Sequence, residues 1–249
     1  MLEFQHLTVR HRGAPPVLRD VSFTLTPGIT VLIGRNGVGK STLLHAALGE
    51  LPFTGEILLQ GTPLQALSPT ARAKLLSLLP QHLPAPALSV REVVALGFSP
   101  FCVHLGEKEW QTVGEILQKM DLDSIAHRSV STLSGGERQR VFLALMLVQN
   151  TPVLLLDEPT THLDASVTAL LHRTLREERD KGKHILLVMH DLAEALSLAD
   201  RVLLLENGSL TFDGTPDACL AEKIPERAFA LHRYRATDAT GKECFFFQP

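Results

Sequence analysis

From Gly34 to Thr42 the chain reads Gly-Arg-Asn-Gly-Val-Gly-Lys-Ser-Thr. Two glycines at this spacing, followed by Lys40 and Ser41, give the pattern of a loop that wraps phosphate. The glycines let the backbone fold tightly with its N–H groups turned inward, and a helix N-terminus behind them adds partial positive charge. Lys40 is placed to reach the β- and γ-phosphates of a nucleotide, and the Ser41 hydroxyl to coordinate Mg²⁺. Gly34, Arg35, Asn36, Gly37, Val38, Gly39, Lys40, Ser41 and Thr42 are therefore the candidate nucleotide-binding residues.

Two further clusters complement this loop. Val153-Leu154-Leu155-Leu156-Asp157-Glu158 is an apolar strand ending in two carboxylates. Downstream of a phosphate loop, Asp157 suits the water shell of Mg²⁺, and Glu158 is placed to orient or deprotonate an attacking water. Leu133-Ser134-Gly135-Gly136-Glu137 precedes an apolar-faced stretch from Arg138 to Gln149. Ser134 reads as an N-cap, and Gly135 and Gly136 bare backbone N–H groups at a positive helix end, a second anion site.

These residues need elements to hold them. Leu2–Val9, Val21–Thr26 and Gly55–Gln60 read as strands, and Ile29–Ile33 as a strand buried on both faces and feeding a helix over Lys40–Leu48. In the middle of the chain Ser89-x-x-Glu92 is a capping box ahead of Val93, Val94 and Leu96. Glu107–Met120 carries Trp110, Val113, Ile116, Leu117 and Met120 at helical spacing, which predicts a core-packing face. After Asn150 the order is strand (Val153–Leu156), helix (Ala165–Arg179), strand (His184–Met189), helix (Leu192–Ala199), strand (Val202–Leu205). Such alternation predicts parallel βαβ units. The expected fold is α/β, with antiparallel strands in front and an inserted helical region. A terminal strand around Phe245–Phe247, packing on the core, is expected for 224–249.

Composition bounds the alternatives. The 249 residues are 45% hydrophobic and 20% charged, as in soluble globular proteins. A net charge of −3 gives no basic footprint for nucleic acid. No apolar run approaches the ~18–20 residues of a membrane span, and Met1–Gln5 lacks the start of a secretory signal. Cys102, Cys219 and Cys244 are far apart and fit no metal or disulfide pattern, which points to a reducing compartment.

The order of these motifs resembles that of ABC-transporter ATPases: the phosphate loop, LSGGE, LLLDEP, Leu163-Asp164, then a histidine after an apolar strand. The similarity runs over nearly the whole chain. It implies a P-loop NTPase core with a mostly parallel sheet, an N-terminal antiparallel β subdomain and an inserted helical subdomain. Residues 1–249 would form a single ABC ATPase domain, with 1–80 and 151–249 as catalytic core and 81–150 as the helical insertion. It also implies ATP and Mg²⁺ as ligands and hydrolysis with Lys40, Glu158 and His190 as catalytic residues.

Residue by residue, the resemblance makes Gln81 the Q-loop glutamine, which would join Ser41 and Asp157 around Mg²⁺. Ser134, Gly135, Gly136 and Glu137 match the signature that acts on nucleotide held by the partner subunit. Asp164 matches the dimer-seam aspartate, and His190, 32 positions past Glu158, the switch histidine. His11 stands where the family usually stacks an aromatic residue on adenine, 23 positions before Gly34. An imidazole there offers less stacking area than Tyr or Trp.

The stretch Ser89-Val90-Arg91-Glu92-Val93-Val94-Ala95-Leu96-Gly97-Phe98-Ser99-Pro100 is similar to that of ferric-siderophore, haem and cobalamin importer ATPases, with Phe98 in place of their arginine. Thr160–Asp164 is similar as well. The resemblance implies an ATP-dependent homodimer beneath membrane permease subunits, peripheral to the cytoplasmic face of the inner membrane. An extracytoplasmic substrate-binding protein would belong to the same system, with iron as a carried element. The other readings in the family are the cassette of an exporter and a soluble non-transport ATPase.

Overall fold

The computed structural model describes residues 1–10, 13–161, 163–237 and 243–248. The chain divides into two compact units, Met1–Leu64 with His184–Pro249, and Gln65–Lys183.

The first unit opens with β1 (Leu2–Arg10), β2 (Pro16–Leu25), β3 (Gly28–Ile33), α1 (Lys40–Leu48), β4 (Phe53–Leu59) and β5 (Thr62–Pro63). Strands β2-β1-β4-β5 form an antiparallel sheet. Phe4 faces Phe23 across it, with ring centroids 4.6 Å apart, a stack worth about 1 kcal/mol beyond its burial. The alternation of β1 breaks at His6, whose φ is 52°, where the register with β2 shifts between Phe4 and Leu7. That bulge returns Leu7 and Val9 to the buried face.

The second unit follows with α2 (Pro69–Ala73), β6 (Leu76–Leu79), α3 (Val90–Ala95), α4 (Glu107–Lys119), α5 (Gly135–Gln149), β7 (Val153–Asp157) and α6 (Ala165–Asp180). Strands β6 and β7 pair in parallel. Both halves of the capping box at Ser89 and Glu92 are present, so α3 starts where its sequence requires. Helices α3 and α4 pack on α5. Gly97 is forced by that packing, since a Cβ there would lie 2.7 Å from the carbonyl of Leu145. Val113, Leu117 and Met120 of the predicted apolar face are buried. Trp110, expected in the core, is half-buried and lies under the Arg91 guanidinium at 4.3 Å.

The chain then returns to the first unit through β8 (His184–Val188), α7 (Leu192–Leu198), β9 (Arg201–Glu206), β10 (Ser209–Gly214), α8 (Pro216–Ala221), α9 (Ile224–Phe229), β11 (His232–Thr237) and β12 (Glu243–Gln248). Strand β3 lies between β8 and β9, parallel to both, and β10 closes that edge antiparallel. Ile29–Ile33 is buried throughout, as a strand covered on both faces must be.

The molecule is thus α/β, with parallel strand pairs in each unit and an antiparallel sheet formed by the N-terminal strands, as the sequence implies. The C-terminus carries the expected strand, with a local partner. Phe245–Phe247 do lie in a strand, but β12 pairs with β11 as a separate two-stranded hairpin. A chain that turns back within about five residues closes a much smaller loop than one pairing with a distant edge, so the local partner costs less entropy. The hairpin also packs on α7. Helix α9, with Ile224, Pro225 and Ala228 buried, was not foreseen.

Candidate active site

In the first unit the phosphate loop joins β3 to α1. Gly39 is the N-cap of α1 at φ 113°, and Gly37 has φ 76°. A Cβ on Gly39 would stand 2.7 Å from Leu18 Cδ2, so backbone conformation and space both demand glycine. Arg35, Asn36 and Gly37 are exposed and Val38 is half-buried, while Ser41 and Thr42 begin α1 half-buried. Lys40 is only 5% exposed; its ammonium donates to the carbonyls of Gly34 (2.7 Å) and Arg35 (3.2 Å). A charged amine folded onto its own loop is stored beside the phosphate cradle and available to an anion there. Loop glycines, a helix N-terminus and a buried cation together fit the triphosphate of ATP.

A cavity of about 910 Å³ borders this loop. Its walls are Arg35–Val38, the start of β2 from Pro16, the turn Asn207–Gly208, and Arg227 and Ala228 of α9. His11, the candidate base contact, lies outside the described residues. His190 follows β8, is exposed, and lines a smaller cavity of about 350 Å³ with Phe229, Leu231 and Phe246. Asp191 caps α7 by accepting from the Glu194 N–H at 2.8 Å, which fixes the turn carrying His190.

The second unit holds the carboxylates. Asp157 ends β7 and is 5% exposed, with a buried Oδ1 that meets no hydrogen-bond donor. An orphaned carboxylate oxygen is the kind of group that a hard cation satisfies, so the site fits Mg²⁺. Among the described residues no cluster of three His, Cys, Asp or Glu side chains could hold a metal alone. Mg²⁺ commonly takes one or two protein oxygens and completes its shell with water and phosphate.

Glu158 follows at φ 49°, a left-handed conformation that costs a non-glycine residue about 1–2 kcal/mol. Its Oε2 accepts a hydrogen bond from the Gln81 amide nitrogen at 2.5 Å. Two residues 77 positions apart in sequence thus form one polar pair. Gln139 was not foreseen as a site residue: it is buried in α5 and donates to the Pro159 carbonyl at 2.8 Å, tying the signature helix to the loop behind Glu158. Its place one turn past Gly136 is the only sequence hint.

The signature forms a complete capping box. Ser134 Oγ accepts from the Glu137 N–H (3.3 Å), and Glu137 Oε2 accepts from the Ser134 N–H (2.8 Å). The Ser134 backbone and hydroxyl donors, with help from Arg128 and Arg140, hold the Glu137 carboxyl below the usual carboxylate range. Ser134 and Gly135 are exposed. Asp164 caps α6, accepting from Ser166 Oγ (2.6 Å) and the N–H groups of Ser166 (2.9 Å) and Val167 (3.0 Å). Its Oδ2 would stand 3.8 Å from a Cβ on Gly136, so signature and Asp164 adjoin on one surface of this unit.

A loop that cradles phosphate, and a strand that ends in a buried aspartate and a left-handed glutamate, are features of an ATPase. A family model for ABC transporters matches residues 18–161, more than half of the chain. The chain belongs to the ABC-transporter family and is an ATPase. It is 39% identical over 92% of its length, and 82% of the relative's, to the "Hemin import ATP-binding protein HmuV" of Nocardia farcinica. It is 41% identical to the protein of that name from Vibrio parahaemolyticus, covering 88% of this chain and 86% of that one. To the "Achromobactin transport ATP-binding protein CbrD" of Dickeya dadantii it is 39% identical, covering 86% and 82%. A solved structure titled "Structure of ATP binding subunit of ABC transporter" superposes with a TM-score of 0.83 at 25% identity, covering 92% of this chain and 98% of that one.

Proposed function

We propose that this protein is the ATP-hydrolysing motor of a membrane importer for haem, a ferric siderophore, cobalamin or a related metal-containing cargo. The observation that carries the reading is the 39% identity to a hemin import protein over 92% of the chain. The Ser89–Pro100 stretch supports it. Around it Leu88, Leu96, Phe101 and Val103 are exposed, the last at 92%, an apolar surface suited to a permease. Among the described residues no helix is long and apolar enough to cross a membrane, so transport requires such a partner. We place the chain peripherally on the cytoplasmic face of the membrane, with permease subunits above it and an extracytoplasmic binding protein delivering cargo.

In this reading 1–249 is one ABC ATPase domain, with 1–80 and 151–249 as core and 81–150 as helical insertion. Residues Gly34–Thr42 bind the ATP phosphates, with Lys40 released from its loop carbonyls to the β- and γ-oxygens. Ser41, Gln81 and Asp157 would hold Mg²⁺, which when bound neutralises phosphate charge. Glu158 accepts the proton of the attacking water, and His190 bonds the γ-phosphate and positions that water. Ser134–Glu137 serve ATP on the facing copy, with Asp164 at the seam between copies. ATP binding closes the homodimer and hydrolysis reopens it.

The test is uptake of labelled haem, ferric siderophore and cobalamin in cells lacking this chain, with co-purification of its permease. Loss of one uptake, restored by the wild-type chain and not by Glu158→Gln, is expected. Unimpaired uptake of all three, together with a chain absent from membrane fractions, would sink the importer reading.

A further inference from the structure

The cavity beside the phosphate loop has one wall that the family reading leaves without a role. Helix α9 is tied into the loop: Arg35 Nε donates to the Ala228 carbonyl at 2.8 Å, across 193 positions of sequence. The Arg35 carbonyl accepts from Lys40 on its other side. The second residue of the phosphate loop is thus anchored by its side chain to α9 and by its backbone to the lysine.

Helix α9 is itself held in place. Lys223 (φ 53°) and Ala230 (φ 57°) at its two ends are left-handed without being glycine. Such conformations persist where surrounding contacts over-determine them. Those contacts are present: Arg233 bonds Glu226 (3.2 Å) and the Leu220 carbonyl (2.9 Å), and Ile224, Pro225 and Ala228 are buried.

Arg227 lies between these anchors. It is exposed on its helix and lines the same cavity as Pro16 and Val17 at the start of β2. Among the described residues no ion pair engages its guanidinium. Among the described residues that line this cavity, three of the four charged ones are arginines, Arg19, Arg35 and Arg227, against Glu206, so the space favours an anion. A planar guanidinium and the apolar side chains of Pro16 and Val17, lining one cavity beside the phosphate loop, offer flat and apolar surface to an electron-rich ring adjoining phosphates. We propose that α9 is a wall of the nucleotide site and that Arg227 contacts the base and sugar of bound purine nucleotide. This rests on the reading that Gly34–Thr42 hold ATP.

The experiment compares equilibrium binding of ATP, ADP and inorganic tripolyphosphate to the full chain, its Arg227→Ala and Arg227→Lys variants, and Lys40→Ala. Arg227→Ala should weaken ATP and ADP about 3- to 10-fold and leave tripolyphosphate unchanged, because the lost contact is to the ring. Arg227→Lys should fall between, since an ammonium keeps the charge and loses the stacking plane. The same loss should appear in KM rather than kcat. An unchanged ATP affinity in Arg227→Ala, or equal weakening of tripolyphosphate, overturns the proposal. Lys40→Ala separates the two readings: if it binds ATP normally, the phosphate-loop reading itself fails.

Discussion

Gln81 and Glu158, 77 positions apart in the chain, are joined by a 2.5 Å hydrogen bond from amide to carboxylate. The bond occupies one oxygen of a glutamate whose backbone is already constrained at φ 49°. The amide therefore sets the direction in which the candidate base presents its charge. A carboxylate oriented in this way loses less freedom when water docks against it. The pair also joins the turn after β6 to the end of β7, so a shift of either strand end is felt at the carboxylate.

Glu158→Gln is expected to lower the single-turnover rate of ATP cleavage by about 10²–10⁴-fold while ATP binding persists. Gln81→Ala should lower it less, by about tenfold, because it loosens the base without removing it. Rapid-quench measurement of phosphate release checks both, and normal cleavage by Glu158→Gln would remove it from the base role.

Ser134→Arg should retain nucleotide binding, because the phosphate loop of the same chain is untouched, and lose most steady-state hydrolysis. Loss of the N-cap should cost about 1 kcal/mol of stability, visible in urea melts. If the proposed homodimer forms, mixing Ser134→Arg with Lys40→Ala subunits would give one intact composite site per heterodimer, so part of the hydrolysis should return. If heterodimers form and no activity returns, the signature does not act across two copies.

Gly39→Ala should destabilise the protein by about 1–3 kcal/mol, combining a strained φ of 113° with a Cβ 2.7 Å from Leu18. Gly37→Ala, at φ 76° with nothing within 4 Å of its Cβ, should cost about 1 kcal/mol. Thermal melts that rank the two in the opposite order would show that the loop relaxes around residue 39.

Glu178 carries a pH signature. Burial raises its carboxyl pKa, but bonds and charges from Lys181 and Lys183 outweigh that and hold it below the usual value of 4.5. A depressed folded-state pKa contributes stability above the unfolded value and loses it as pH falls through the folded one. Glu178→Gln, which breaks a pair whose acid is 2% exposed, should lower stability at pH 7 by about 3 kcal/mol. The gap from wild type should narrow below about pH 4.5. Denaturant melts at pH 7 and pH 4 test this, and a pH-independent gap would assign the loss to packing.

The motifs legible in sequence are those whose geometry is local. The glycines before Lys40, the capping boxes at Ser89 and Ser134 and the acidic end of β7 each need only a few adjacent residues. Ile29–Ile33 was readable because a strand covered on both faces has no polar alternation to lose. The bonds Gln139 to Pro159, Arg35 to Ala228 and Gln81 to Glu158 depend on where distant segments meet, and no spacing rule encodes that. The hairpin of β11 and β12 was half-readable: its phenylalanines announce a strand, while the choice of partner is a tertiary outcome. Strand β10 and helices α8 and α9 were missed because each is about six residues long, less than two helical turns or a clear run of alternation.

The strand that leads into the phosphate loop, β3, finds both neighbours, β8 and β9, in the last third of the chain. About 150 residues separate Ile33 from His184, so at ~5–20 residues per second β3 is synthesised roughly 8–30 s before any partner exists. Throughout that interval an apolar strand edge is bare, the situation in which nascent chains attract chaperones or one another. The second unit, contiguous from Gln65 to Lys183, is complete before that wait ends. Yield of active protein should therefore be set by what shields Ile29–Ile33 during translation, well before ATP is ever met.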